Sequence, residues 1–124
     1  MPGHFSIRAH QMGACHTLVL TGELDISTAP ALETVISDLC AHGATEVVLD
    51  LSQLEFADSR GLRAILMARS TCEEFLCDFS VTPGSRQVQR VFEISGLLNL
   101  LPFRTAEKPP PADSVQLWPD PTTG

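Results

Sequence analysis

The run Val47-Val48-Leu49-Asp50-Leu51 constrains this chain more than any other segment. Apolar and β-branched side chains stand on both of its faces, so as a strand it must be covered on two sides or lie on the inside of its sheet. A helical pattern follows. From about Ser59 to Leu76, the residues Leu62, Ile65, Leu66, Arg69 and Cys72 recur on one face, and Ala64, Met67 and Ala68 widen that stripe. A buried strand leading into a helix is the unit from which sheets with parallel crossovers are built, so the chain is expected to be α/β.

The flanking segments extend the pattern. Phe5 to Arg8 and Cys15 to Thr21 read as the strands of an opening hairpin around Met12-Gly13, and Thr17-Leu18-Val19-Leu20 is apolar enough for a central strand. Ser27 or Thr28 is the expected cap of a helix with Pro30 in its first turn. Leu32, Val35, Ile36, Leu39 and Cys40 line its buried face, and Gly43 ends it. Asp78 to Thr82 reads as a strand, Pro83-Gly84 as a turn, and Val88, Val91, Phe92 and Ser95 as one side of a third helix that stops at Gly96. Leu98 to Phe103 is read as a last strand, and the stretch between Leu51 and Asp58 as a short loop. The predicted order is strand, strand, helix, strand, helix, strand, helix, which requires a mixed sheet. Residues 109–124 contain Pro109-Pro110-Pro111 and Trp118-Pro119-Asp120-Pro121 with no periodicity, and are expected to form a flexible tail beyond a domain of residues 1–108.

Fifteen acidic and eight basic residues leave a net charge of -7. That balance repels polyphosphate and anionic lipid, so neither nucleic acid nor a membrane surface is an expected partner. Met1 to His10 holds no continuous apolar stretch of the kind a signal peptide needs, and no segment approaches the length of a membrane span, so a cytoplasmic location is expected. Cys15, Cys40, Cys72 and Cys77 lack C-x-x-C pairing and sit in apolar patterns, which points to reduced structural thiols. A spacing of five would put Cys72 and Cys77 on different faces of a helix unless the helix ends between them. His4, His10, His16 and His42 show no ligand spacing, and neither the Rossmann nor the P-loop glycine pattern occurs, so no metal and no cofactor are expected.

Chemistry concentrates at one junction, Phe56-Ala57-Asp58-Ser59-Arg60-Gly61-Leu62. Asp58 suits an N-cap, because its carboxylate can accept hydrogen bonds from first-turn amides at the positive end of the helix dipole. Ser59 would then be exposed. Gly61 inside a helix costs about 1 kcal/mol relative to alanine, so something is expected to approach the backbone closely there. Local pattern alone also allows Asp58 and Ser59 to be no more than a helix cap. No G-x-S-x-G elbow surrounds Ser59, which argues against a hydrolase.

Four segments carry a wider resemblance: Thr21-Gly22-Glu23-Leu24-Asp25, the strand Val47 to Leu51, the junction from Phe56 to Leu62, and Phe92-Glu93-Ile94-Ser95-Gly96-Leu97. With these in order, residues 15–104 resemble a STAS domain, the domain shared by sulfate transporters and anti-sigma factor antagonists, and specifically the antagonists. The resemblance implies the STAS fold: a mixed, mostly parallel sheet of four to five strands with helices packed mainly on one face. It implies a protein that is not an enzyme and that binds an anti-sigma factor serine kinase, with Ser59 phosphorylated by that kinase and restored by a serine phosphatase. Asp25, Asp58, Ser59, Arg60, Gly61 and Arg63 would form the partner-binding surface of a monomer or weak dimer. Arg60 departs from the small residue that many relatives carry, and the proline-rich tail departs from their final helix. The alternative role is a scaffold or accessory subunit of a stress-signalling complex or transporter.

Overall fold

Alternation in the first segment becomes strand β1 (Ser6–Met12), which buries Ile7 and Ala9 and leaves Ser6, Arg8 and His10 partly open on its other side. The structure, a computed structural model, describes residues 5–104 and 114–119. Gly13 and Ala14 turn the chain, with Gly13 at φ 62°, and β2 (Cys15–Leu24) returns antiparallel to β1. The predicted hairpin is thus present.

Strand β2 is the axis of the sheet. Its first half pairs in parallel with β3 (Glu46–Asp50), and Gly22 to Leu24 pair in parallel with β4 (Leu54–Ala57). The change of partner coincides with a register shift after Gly22, whose φ of 90° is one that glycine adopts without steric cost. Strand β5 (Asp78–Thr82) lies parallel to β3, and β6 (Val115–Trp118) lies antiparallel to β1. The order is β5-β3-β2-β1-β6, with β4 on β2, in a sheet of six strands.

Helices α1 (Ala29–Ala41), α2 (Ser59–Glu74) and α3 (Arg86–Ile94) send their buried rows into one core. Leu32 and Ile36, Leu62 and Ile65, and Val88 and Phe92 meet Leu18, Leu20, Val47, Leu49 and Val81 of the sheet there. Val19 and Val48 are buried too but stand apart from that cluster, and in register Val48 lies between Thr17 and Ser80. This accounts for the two-faced apolar character of β3: alternate residues meet the helices, and Val48 sits mid-sheet between polar neighbours. The mixed sheet with helices on one face is as expected. Among the described residues, no helix is long and apolar enough to cross a membrane.

Three expectations need correction. Residues 54–57 form β4 and not a loop, because the turn at Leu51 to Leu54, closed by a 3.0 Å backbone bond and by the Asp50 carboxylate on the Ser52 amide (2.8 Å), returns the chain to β2. The expected last strand is a 3-10 turn at Leu98–Leu100 followed by a single bridge from Phe103 to Val81. Phe103 is held there edge-on against Phe92, with ring centroids 5.3 Å apart. Within the expected flexible tail, Val115 to Trp118 form β6, because Trp118 finds the ring of Phe5, 5.6 Å away, and β1 offers an open edge. Residues 109–113 and 120–124 of the expected tail lie outside the described residues.

Candidate functional site

Strand β4 ends at Ala57, opposite Leu24, and α2 begins at Ser59. Between them the Asp58 amide donates to the Leu24 carbonyl (3.2 Å), continuing the strand pairing by one more bond. The Asp58 backbone is still extended, and its Oδ1 accepts the amides of Arg60 and Gly61, each at 2.9 Å. The predicted cap is therefore in place. It holds Ser59 as the first helical residue, exposed to solvent. Gly61 is buried, and a Cβ added to it would stand 2.2 Å from the Leu24 carbonyl oxygen and 2.9 Å from Leu24 Cγ. The close approach expected at Gly61 is the end of β2, so this glycine sets how near the Ser59 turn can lie to the Asp25 loop.

Asp25 follows directly after β2. Its Oδ1 accepts the Ser27 hydroxyl (2.7 Å), the Ser27 amide (2.9 Å) and the Thr28 amide (3.3 Å), while its own carbonyl accepts the Ala29 amide (2.8 Å). The hydroxyl and amide bonds, led by the Ser27 hydroxyl, hold this carboxyl below its ordinary value of 3.8. The structure satisfies this carboxylate with neutral donors from Ser27 and Thr28. Thr28 occupies the N-cap position of α1 without a side-chain cap bond, contrary to expectation. Its hydroxyl instead accepts the Asp25 amide and donates to the Glu23 carbonyl, both at 2.9 Å.

Asp25→Ala is accordingly expected to cost about 1 kcal/mol at neutral pH, the usual value of such a cap. A depressed carboxyl stabilises the fold above its unfolded value and loses that contribution as pH falls through the folded one. Urea melts of wild type and Asp25→Ala should therefore differ near pH 7, and the difference should shrink as pH falls below the ordinary carboxyl value of 3.8. A constant difference across that range would exclude the carboxylate as its source.

The loop and the helix start meet in a shallow groove of about 290 Å³. Ile26, Ala29, Pro30 and Glu33 line one side, and Arg60, Arg63, Ala64 and Met67 the other. Ile26 is 60% exposed and Met67 49%, although periodicity placed Met67 in the buried stripe and did not single out Ile26. Among the described residues, neither Arg60 nor Arg63 has an ion-pair partner. The structure thus gathers Asp58, Ser59, Arg60, Gly61 and Arg63 on one helix start and brings Asp25 to it through Ile26. Exposed apolar surface beside guanidinium groups is common where proteins bind one another.

Known proteins place this geometry in context. The family described as Mlab, STAS domain, matches residues 7–102. The anti-sigma-B factor antagonist of Staphylococcus aureus is 29% identical over 80 residues, which is 64% of this chain and 74% of that protein. An anti-sigma factor antagonist from Mycobacterium paratuberculosis has a similar structure, with a TM-score of 0.70 at 28% identity over 83% of this chain and 87% of the other. The fold is also that of the Bacillus protein SpoIIAA in its unphosphorylated form, with a TM-score of 0.70 at 24% identity over 82% of this chain and 89% of that one. The chain belongs to the STAS domain family, and within it is similar to the anti-sigma factor antagonists.

Proposed function

We propose that this chain works as an anti-sigma factor antagonist in the cytoplasm, capturing an anti-sigma factor serine kinase while Ser59 is unphosphorylated and so freeing a sigma factor. Phosphorylation of Ser59 ends the capture, and a serine phosphatase restores it. The observation that carries this reading is the exposed Ser59 residue on a capped helix start, beside a groove with apolar walls and cationic side chains. Ile26, Pro30 and Met67 give the partner apolar contact, while Arg60 and Arg63 select an acidic surface. Asp25 contributes by holding the loop that presents Ile26.

A phosphate on Ser59 would add about -1.5 to -2 charge beside the Asp58 carboxylate. Two of the first-turn amides, those of Arg60 and Gly61, are already bound to Asp58, which leaves an incomplete helix-amide cradle. Arg63, one turn on from Ser59, is the remaining local counter-ion. Its guanidinium would fold onto the phosphate and leave the partner surface, which weakens binding twice.

The test uses the kinase recovered with the protein from its native host. With ATP it should label wild type and leave Ser59→Ala unlabelled. Ser59→Asp should bind that kinase at least about tenfold more weakly, a loss of roughly 1.4 kcal/mol, with its melting temperature almost unchanged. Equal labelling of Ser59→Ala would remove Ser59 as the acceptor, and undiminished binding by Ser59→Asp would remove charge as the switch.

A further inference from the structure

The ends of α1, α2 and the approach to β5 converge on three buried thiols. Cys40, Cys72 and Cys77 are 4%, 0% and 5% exposed, and their sulfur atoms lie within 4.8 Å of one another. Cys40 Sγ and Cys72 Sγ are 3.8 Å apart. Helix α2 ends at Glu74, between Cys72 and Cys77, which is the one circumstance in which their spacing lets them meet. The chain then folds back over its last turn: the Leu76 amide donates to the Glu73 carbonyl (3.1 Å) and the Cys77 amide to the Cys72 carbonyl (2.8 Å). This closure seats the residue after the left-handed position on the helix residue whose carbonyl it binds, here Cys77 on Cys72. The left-handed position is Leu76 at φ 57°, where glycine is usual, and its side chain is 93% exposed.

We infer that Cys40, Cys72 and Cys77 form a three-thiolate site for a thiophilic d10 metal ion. Metal–sulfur bonds of about 2.3 Å in tetrahedral or trigonal geometry set sulfur atoms roughly 3.8 to 4.0 Å apart, which is the Cys40–Cys72 separation, and small side-chain rotations would bring the third sulfur from within 4.8 Å to that distance. Soft thiolate ligands select Cu(I) and Zn(II) from the common ions. On binding, three S–H protons pass to water, three sulfur–metal bonds form and no electron moves. The thiols bind the ion as thiolates, so occupancy should fall as pH is lowered. The sequence concealed the site because its ligands come from three elements and no C-x-x-C pair is present. The ion would tie α1, α2 and β5 together at the end of α2 opposite Ser59. No fourth His, Cys, Asp or Glu among the described residues joins the group. Cu(I) can be held by the three sulfurs alone, whereas zinc would need a further donor.

The full chain, reduced without oxygen and stripped with a chelator, would be given one equivalent of Cu(I) or of Zn(II) and then desalted. One ion should remain per chain in at least one arm. Cys40, Cys72 and Cys77 should then be alkylated more slowly in the loaded chain than in the stripped chain, while Cys15 reacts alike in both. X-ray absorption should report three sulfur ligands, alone with copper and with one lighter donor with zinc. Retention of neither ion would overturn the site, as would undiminished retention by Cys40→Ala. If Cys40→Ala does not fold, the sulfur count on wild type decides, and fewer than three sulfurs overturns the assignment.

Discussion

Replacing Gly61 by alanine is expected to destabilise the domain by about 3 kcal/mol and to lower its melting temperature by more than roughly 10 °C. The added carbon would meet the Leu24 carbonyl at 2.2 Å, with the Leu24 side chain at 2.9 Å. Overpacking usually costs about 1 to 3 kcal/mol, and relief here is harder than usual because the obstacle is backbone. The same carbonyl accepts the Asp58 amide, so moving it loosens both the end of β4 and the cap of α2. Gly43→Ala is the control, since an added carbon there meets nothing within 4 Å and only its φ of +91° resists the change. It should cost about 1 kcal/mol. Paired denaturant melts would measure both, and equal losses would mean that the Leu24 contact yields without cost. Because the clash is at the turn that carries Ser59, a partner-binding defect in Gly61→Ala would report misplacement of that turn.

What was legible in the sequence followed from strong local pattern. The hairpin, α1, β3, α2, β5 and α3 each carry several apolar residues at one period, and Asp58 with Gly61 marked a capped helix start under close contact. Strand β4 escaped because it is four residues long and exposes its middle two, Glu55 and Phe56, so no alternation appears. Its existence depends on β2 being long enough to take a second partner, a fact about another segment. The groove escaped for a related reason. Met67 has the spacing of a buried residue, but it lines the open groove with Ile26, and only the packing of two helices reveals that. The thiol trio needed the reversal at Leu76, a left-handed position for which no glycine gave a signal.

A chain ending at Arg104 is expected to lose about 2 kcal/mol and to melt roughly 10 °C lower, although its proline-rich end reads as dispensable. Strand β6 pairs with β1 from Ala9 opposite Val115 to Ile7 opposite Trp118. The Arg8 guanidinium donates to the Ser114 carbonyl (2.8 Å) and to its hydroxyl (3.0 Å). Leu117 and Trp118 pack on the core at half-burial, and the Trp118 ring meets Phe5 at 5.6 Å with a tilt of 50°. An aromatic pair contributes about 0.5 to 1.5 kcal/mol beyond burial, and a hydrogen bond from a charged donor about 1.5 to 3. Ordering the strand costs about 1 to 2 kcal/mol per residue and offsets most of the gain from burial, pairing and the arginine bonds together. The net is a few kcal/mol at most. Removal also turns β1 into an open edge and uncovers Phe5, so the shortened chain should associate at high concentration. Trp118→Ala isolates the contribution of the strand from that of the other residues removed, and should produce about half of the loss. A truncated chain that melts within two or three degrees of wild type, and stays monodisperse, would show that β6 adds nothing to stability in solution.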